Sequence, residues 1–285
     1  MPLHIFVLRD TYTPPMARPP RSARPPLLAA LVALTAALPA APLAAQEPPR
    51  NPHAVQPERP TVATHAYTVA PGWIEVEYGI ELDRYGGGAT GGSAPVLVKI
   101  GVVPGVQLDL SGSALRPPAG GVTGIGDLSV AAKVRVLRGA PVLGDVSLQP
   151  SLKLPTAPTA SGLGTGTTDV GLLLISSHAF GPVEMDLNVG YTRRSGSGRT
   201  APTSATLWTA SFGGPVAGPL GWTAEMYGYP GTAGPAGQAP IVALLGGPTL
   251  LARLWLAFDA GVIVPLRGPQ PRALYAGGVW NIGHF

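Results

Sequence analysis

Apolar and polar residues begin to alternate at Trp73 and keep doing so toward the C-terminus. Ile74, Val76, Tyr78, Ile80 and Leu82 interleave with Glu75, Glu77, Gly79, Glu81 and Asp83. In an extended chain of period two this makes one greasy face and one acidic face. The pattern recurs over 96–102 around Lys99, over 106–114 around Gln107 and Asp109, and over 128–136 around Lys133 and Arg135. It returns over 146–154 around Gln149 and Lys153, and over 183–191 around Glu184, Asp186 and Asn188. Weaker candidates at 169–177, 204–212, 222–229, 241–247, 254–264 and 274–285 bring the predicted strands to about twelve.

The connections alternate in length. Tight turns are predicted at Pro104-Gly105, 138–144, Gly181-Pro182, 213–219 and around Pro248, and longer Gly/Pro/Ser-rich loops at 85–93, 116–126, 156–167, 195–202, 230–239 and 266–271. Short turns at one end, longer loops at the other and an even strand number predict an all-β fold, an antiparallel transmembrane β-barrel of about twelve strands over residues 70–285. The competing fold is a secreted β-sandwich or soluble barrel, whose solvent face should be rich in Lys and Glu. The polar face here is mostly Gly, Ser, Thr and Asn.

Composition sharpens this picture. Hydrophobic residues make up 45% of the chain and charged ones only 12%, roughly half the ~25% of soluble proteins. Yet beyond residue 45 no apolar run approaches the ~18 residues of a membrane helix. Thirty-nine Gly and 34 Pro without a three-residue period exclude collagen and favour closely spaced turns. The net charge of +4 is concentrated early, with Arg9, Arg18, Arg21 and Arg24 against Asp10, so the rest is nearly neutral and nucleic acid is not an expected partner.

Arg18, Arg21 and Arg24 precede an apolar run over 27–38 that ends in Leu43-Ala44-Ala45. Residues 1–45 are therefore expected to be a secretory signal peptide cleaved after Ala45, with Met16 an alternative start that gives a signal of ordinary length. Residues 46–69, Pro-rich and without periodicity, are expected to form a flexible periplasmic segment, too short for a folded plug domain. With no Cys, neither a disulfide framework nor a thiolate metal site exists.

Several short phrases resemble the outer-membrane barrels named for the meta pathway of phenol degradation, a group labelled as transporters. They are Val69-Ala70-Pro71-Gly72 leading into Trp73-Ile74-Glu75-Val76-Glu77, Gly124-Ile125-Gly126-Asp127, Leu154-Pro155-Thr156, Asp169-Val170-Gly171 and Asn188-Val189-Gly190-Tyr191. The resemblance implies an exported barrel with a role in uptake of hydrophobic or aromatic compounds, and it transfers no catalytic or ligand residue. The Gly-rich 85–93 loop departs from the family pattern. The terminal Phe285 fits the aromatic end by which such barrels are recognised for assembly.

In a barrel the charged side chains must face the lumen, because a lysine or arginine facing lipid at mid-bilayer costs about 2–4 kcal/mol. The pore-lining candidates are Glu75, Glu77, Glu81, Asp83, Lys99, Asp109, Lys133, Arg135, Lys153, Glu184, Asp186, Arg253 and Asp259. Asp127, Asp145, Asp169, Arg194 and Glu225 share those inward faces. Two readings stay open: a selectivity ladder in an open pore, or a salt-bridged network filling a closed one.

An outer-membrane hydrolase would need a rim His beside a nucleophile. His53 and His65 fall in the N-terminal segment, and His178 and His284 at periplasmic strand ends. Gly162-Leu163-Gly164-Thr165-Gly166 lacks the Lys-Ser/Thr that a phosphate loop requires. Eleven aromatics, Tyr227, Tyr229 and Tyr275 among them, fall near strand ends as interfacial girdles would. The expectation is a passive channel or transporter without cofactor or metal, partnered by outer-membrane lipid, the assembly machinery and an unknown small solute. Its competitor is a non-transporting barrel with a structural or surface role.

Overall fold

The computed structural model describes residues 51–118, 122–196, 202–230 and 240–285. The expected signal peptide, its cleavage after Ala45 and the Met16 start lie outside the described residues, as do 119–121, 197–201 and 231–239 of the expected loops.

The strands in chain order are β1 (Trp73–Arg84), β2 (Thr90–Val103), β3 (Val106–Arg116), β4 (Gly124–Ile125), β5 (Leu128–Ala140), β6 (Gly144–Leu154) and β7 (Asp169–Phe180). They continue with β8 (Val183–Arg194), β9 (Ser204–Ala217), β10 (Leu220–Tyr229), β11 (Ile241–Arg253), β12 (Leu256–Arg267) and β13 (Arg272–His284). β4 is a two-residue stub on the end of β3. The other twelve form one antiparallel sheet that closes through β1 and β13, paired from Trp73 opposite His284 to Arg84 opposite Arg272.

Closure follows from the alternation. With one face greasy along every strand, a sheet in lipid can leave no edge with unpaired backbone groups. Ile80, Leu82, Leu110, Leu172, Val189 and Leu274 stand exposed on the outer wall, while Glu75, Glu77, Lys99, Gln107, Lys133 and Asn188 are buried on the inner one. A soluble sandwich would invert this arrangement, so the barrel is the fold.

β2–β3, β7–β8, β9–β10 and β11–β12 turn at one end through Pro104-Gly105, Gly181-Pro182, Gly218-Pro219 and Leu254-Trp255, with 141–143 joining β5 to β6 there. Gly105, Gly181 and Gly218 carry the positive φ such reversals need. The longer connections lie at the other end, which makes the short-turn end periplasmic in a barrel of this type.

One predicted turn is misplaced. Pro248 sits inside β11, opposite Trp222 of β10, and the turn comes at Leu254-Trp255. On the other side of β11 the pairing skips from Gly246 to Thr249, so a residue without an N–H costs only one side of the ladder. Pro150 of β6 does the same, paired with Leu172 of β7 while the β5 ladder skips it.

The larger departure concerns residues 51–72. They do not extend free of the barrel as expected of a flexible periplasmic segment, but run up inside the lumen and return to β1. Their backbone groups bond to inward-facing side chains one by one, and no environment repeats, so no periodicity marks them.

Candidate functional site

This internal strap enters beside the periplasmic turns. The Val55 N–H donates to the Leu254 carbonyl at 2.9 Å, and the His53 ring lies 4.9 Å from Trp73 and 6.0 Å from Trp255. Going up, the Gln56 N–H donates to Glu75 at 2.8 Å and the Glu58 N–H to Glu77 at 2.7 Å. At the apex the N–H groups of Val62 and Ala63 both donate to the Glu225 carboxylate, each at 2.7 Å. Coming down, Thr64 exchanges two hydrogen bonds with the Asn188 amide, at 2.8 and 2.9 Å. Ala66 is held between Ser177 and Ser147, and the Val69 N–H donates to Gln107 at 2.8 Å. In an extended strap without a partner strand, these side chains satisfy buried backbone groups that would otherwise each cost about 1–3 kcal/mol.

Three charged groups lock it. Lys99 bridges Glu75 and Glu77 at 2.6 Å each and also donates to the Gln56 carbonyl. Lys133 pairs with Glu58 and donates to Thr64 Oγ1 at 2.9 Å and to the His65 carbonyl at 3.0 Å. Both lysines are fully buried. Arg59 lays its guanidinium on Asp259 with two bonds of 3.1 and 3.0 Å. The slot it fills exists because Gly79 and Gly277 have no side chains: a Cβ on either would stand 2.3 or 2.5 Å from an Arg59 nitrogen.

Charge inside the strap responds to this packing. Burial works against the Glu58 carboxylate, but Lys133 and Lys99 outweigh it and hold its pKa well below 4.5. His65 is pushed down from 6.5 to about 3, first by burial and then by the Lys133 ammonium. It stays neutral, with its Nε2 against the Gln56 carbonyl at 3.1 Å.

Above the apex the lumen changes character. Tyr227, Tyr229, Ile241, Ala243, Leu245, Ile263, Ala273 and Tyr275 form an apolar cluster against which Val62 packs. Beside it, sharing Val62 and Tyr229 with it, lies a cavity of about 260 Å³, with Leu97, Leu173 and Leu207 also on its apolar side and Ser129 and Ser151 among its hydroxyls. Its mouth carries an ion chain: Lys153 reaches Asp127 at 3.0 Å and Asp169 at 3.4 Å, and Arg194 reaches Asp169 at 3.5 Å. Asp127 also accepts the N–H groups of Ala157 at 3.0 Å and Thr165 at 3.1 Å, which folds the 155–168 loop inward. Burial opposes its ionisation, yet those amides and Lys153 hold its pKa below 3.8.

The structure brings Glu75, Glu77, Lys99, Lys133 and Asp259 together on the strap, while Asp109 accepts Gln107 and Gln149 at 2.8 and 2.6 Å beside it. Arg135 lies 5.7 Å from the centre of the Tyr67 ring. Asp186 accepts the Ser177 hydroxyl at 2.5 Å. Glu81 and Asp83 sit higher on β1, and Lys153 at the upper mouth. Two candidates are not in the lumen: Glu184 is exposed at the periplasmic rim, and Arg253, shifted by the irregularity near the end of β11, is exposed at its turn and bonds to its neighbour's carbonyl.

Tyr227, Tyr229 and Tyr275 are not girdle residues but lumen core. Tyr227 and Tyr229 share the parity of Glu225, which was the available signal. The strap residues Gln56, Glu58, Arg59 and Thr64 had no such signal. Among the described residues no cluster of His, Asp or Glu is arranged to hold a metal ion.

The model of the family described as "Putative MetA-pathway of phenol degradation" matches residues 58–264. The chain belongs to this family. The family match opens within the strap, at Glu58, and ends inside β12, at Val264. Among solved structures, an outer membrane channel from Pseudomonas putida F1 superposes with a TM-score of 0.60 at 11% identity, over 75% of this chain and 97% of that one. KdgM porin, solved in complex with disordered oligogalacturonate, gives 0.51 at 11% over 73% and 99%. NanC porin gives 0.51 at 8% over 73% and 98%. At such identities the likeness is one of fold. No curated protein sequence matches the chain.

Proposed function

We propose that this member of the phenol-degradation family is an outer-membrane channel for small molecules, closed at rest by its own strap, whose solutes have an apolar or aromatic body. The strap's mode of attachment carries the reading. A permanent filling is best made of apolar side chains, whereas hydrogen bonds and ion pairs can be handed over to water when a segment moves. The solute class is supported by the cavity beside the strap, where Leu97, Leu173, Leu207 and Tyr229 offer an apolar surface opposite hydroxyls that suit one polar substituent, with Glu58 and Asp109 toward the strap and charged groups at the mouth. The pathway in the family's description agrees with it.

The test is planar-bilayer conductance of the refolded chain and of Arg59→Ala. The intact chain should conduct weakly and the variant more, and guanidinium added to the variant should refill the Asp259 slot and lower its conductance again. A folded variant as silent as the parent would overturn the gate and leave a structural barrel. In liposomes, the variant should raise benzoate entry over that of protein-free vesicles by more than it raises entry of a sugar acid, and equal increases would overturn the solute class.

A further inference from the structure

The outer wall at the long-loop end carries a charge pattern that solute passage does not use. Arg84 of β1 and Arg272 of β13 stand directly opposite each other where the barrel closes. Both are exposed. Like charges in that relation destabilise a sheet, and neither arginine makes an ion pair with the described residues. Exposed Arg267 ends the adjoining β12 and exposed Arg116 ends β3, held at 2.9 Å by Thr90 of the intervening β2. Glu184, the one exposed acidic side chain among the described residues, is at the opposite end. Directly beneath the arginine pair, Leu82 faces Leu274, with Val262 beside it, all exposed to lipid. At the periplasmic end the same strands present Trp280, Ile282 and Phe258 on their outer faces.

We infer that Arg84 and Arg272, flanked by Arg267 and Arg116, bind the phosphate groups of outer-leaflet lipopolysaccharide, with its acyl chains lying on Leu82, Leu274 and Val262. The inference rests on the outer-membrane placement, not on the channel being gated. A guanidinium fork matches phosphate oxygens two at a time, so one phosphate between the two arginines turns a repulsive pair into a bridged one. Only a ligand joining phosphate to acyl chains uses both halves of the surface.

The full chain, folded in detergent, is titrated with diphosphorylated lipid A, with the same lipid after phosphatase treatment, and with inorganic phosphate. Binding is read by native mass spectrometry and folding by the electrophoretic shift on heating. Diphosphorylated lipid A should bind, its dephosphorylated form should bind more weakly by on the order of tenfold, and inorganic phosphate should not compete. Arg84→Gln combined with Arg272→Gln should lose a similar factor for the phosphorylated lipid alone, with conductance unchanged. Equal binding of the two lipid forms, or unchanged affinity in the folded double variant, would overturn the inference. Full competition by inorganic phosphate would overturn the lipid as its ligand. If the double variant does not fold, the lipid comparison on the parent chain decides.

Discussion

The periplasmic and extracellular halves of the lumen are filled by opposite means. Below, the strap is held chiefly by hydrogen bonds and ion pairs to Glu75, Glu77, Lys99, Lys133, Asn188 and Gln107, with Val55 packed on Ala257 and Val279 where it enters. Above, Tyr227, Ile241, Leu245 and Ile263 pack against one another and leave a cavity at their side. Apolar packing fixes a wall in place because its driving force is water exclusion and no solvent contact can replace it. Polar packing holds a segment in register yet permits its withdrawal. On the proposed gating, the difference separates a wall that stays from a segment that moves.

The strongest way to break this contrast is Lys133→Met. Glu58 would then lie buried without its direct ion-pair partner, with Lys99 left to support its charge, and strap docking should weaken by about 3–5 kcal/mol. Proteolysis within 51–69 of the folded barrel should rise, and conductance with it. A strap that stays protected would abolish the distinction. Ile241→Ala, opposite Tyr229 and higher than the Glu225 anchor, probes the upper half, where the lost packing should cost about 2–5 kcal/mol. Its signature is a lower unfolding temperature at unchanged conductance, and a conductance rise would show that the halves are not separable.

The smallest expected effect is that of pH. Docked, His65 takes a proton only near pH 3, while released it does so near 6.5. Docking is therefore fully favoured above pH 6.5 and loses ground as pH falls toward 3. Glu58, held below 4.5 when docked by Lys133 and Lys99, adds to the loss in the acid part of that range. Conductance of the intact chain should rise on acidification, and His65→Gln should flatten the response between pH 6.5 and 4.5. An unaltered profile would remove His65 from the account.

The wall was legible in the sequence because a strand in lipid repeats one environment every second residue. The order of the twelve long strands and the inward carboxylates of Glu75, Glu77, Asp109 and Asp259 follow from that alone. Pro248 misled because one missing donor was read as a turn, although a strand loses only one ladder bond by it. Arg253 and Glu184 lie where strands end and alternation ceases to dictate exposure. The strap was illegible for a different reason: its partners come from ten strands, and Glu225 and Thr64 reveal nothing of each other until the sheet closes.

The Arg59 slot carries a consequence for the order of assembly. Gly79 and Gly277 face each other across the β1–β13 junction, the pairing of first strand with last that turns the sheet into a cylinder. Before that junction is made the slot has one wall on each end of an open sheet and cannot grip a guanidinium. The Arg59 lock is therefore complete only in the closed barrel, and its seating reports that the first and last strands have met in the correct register.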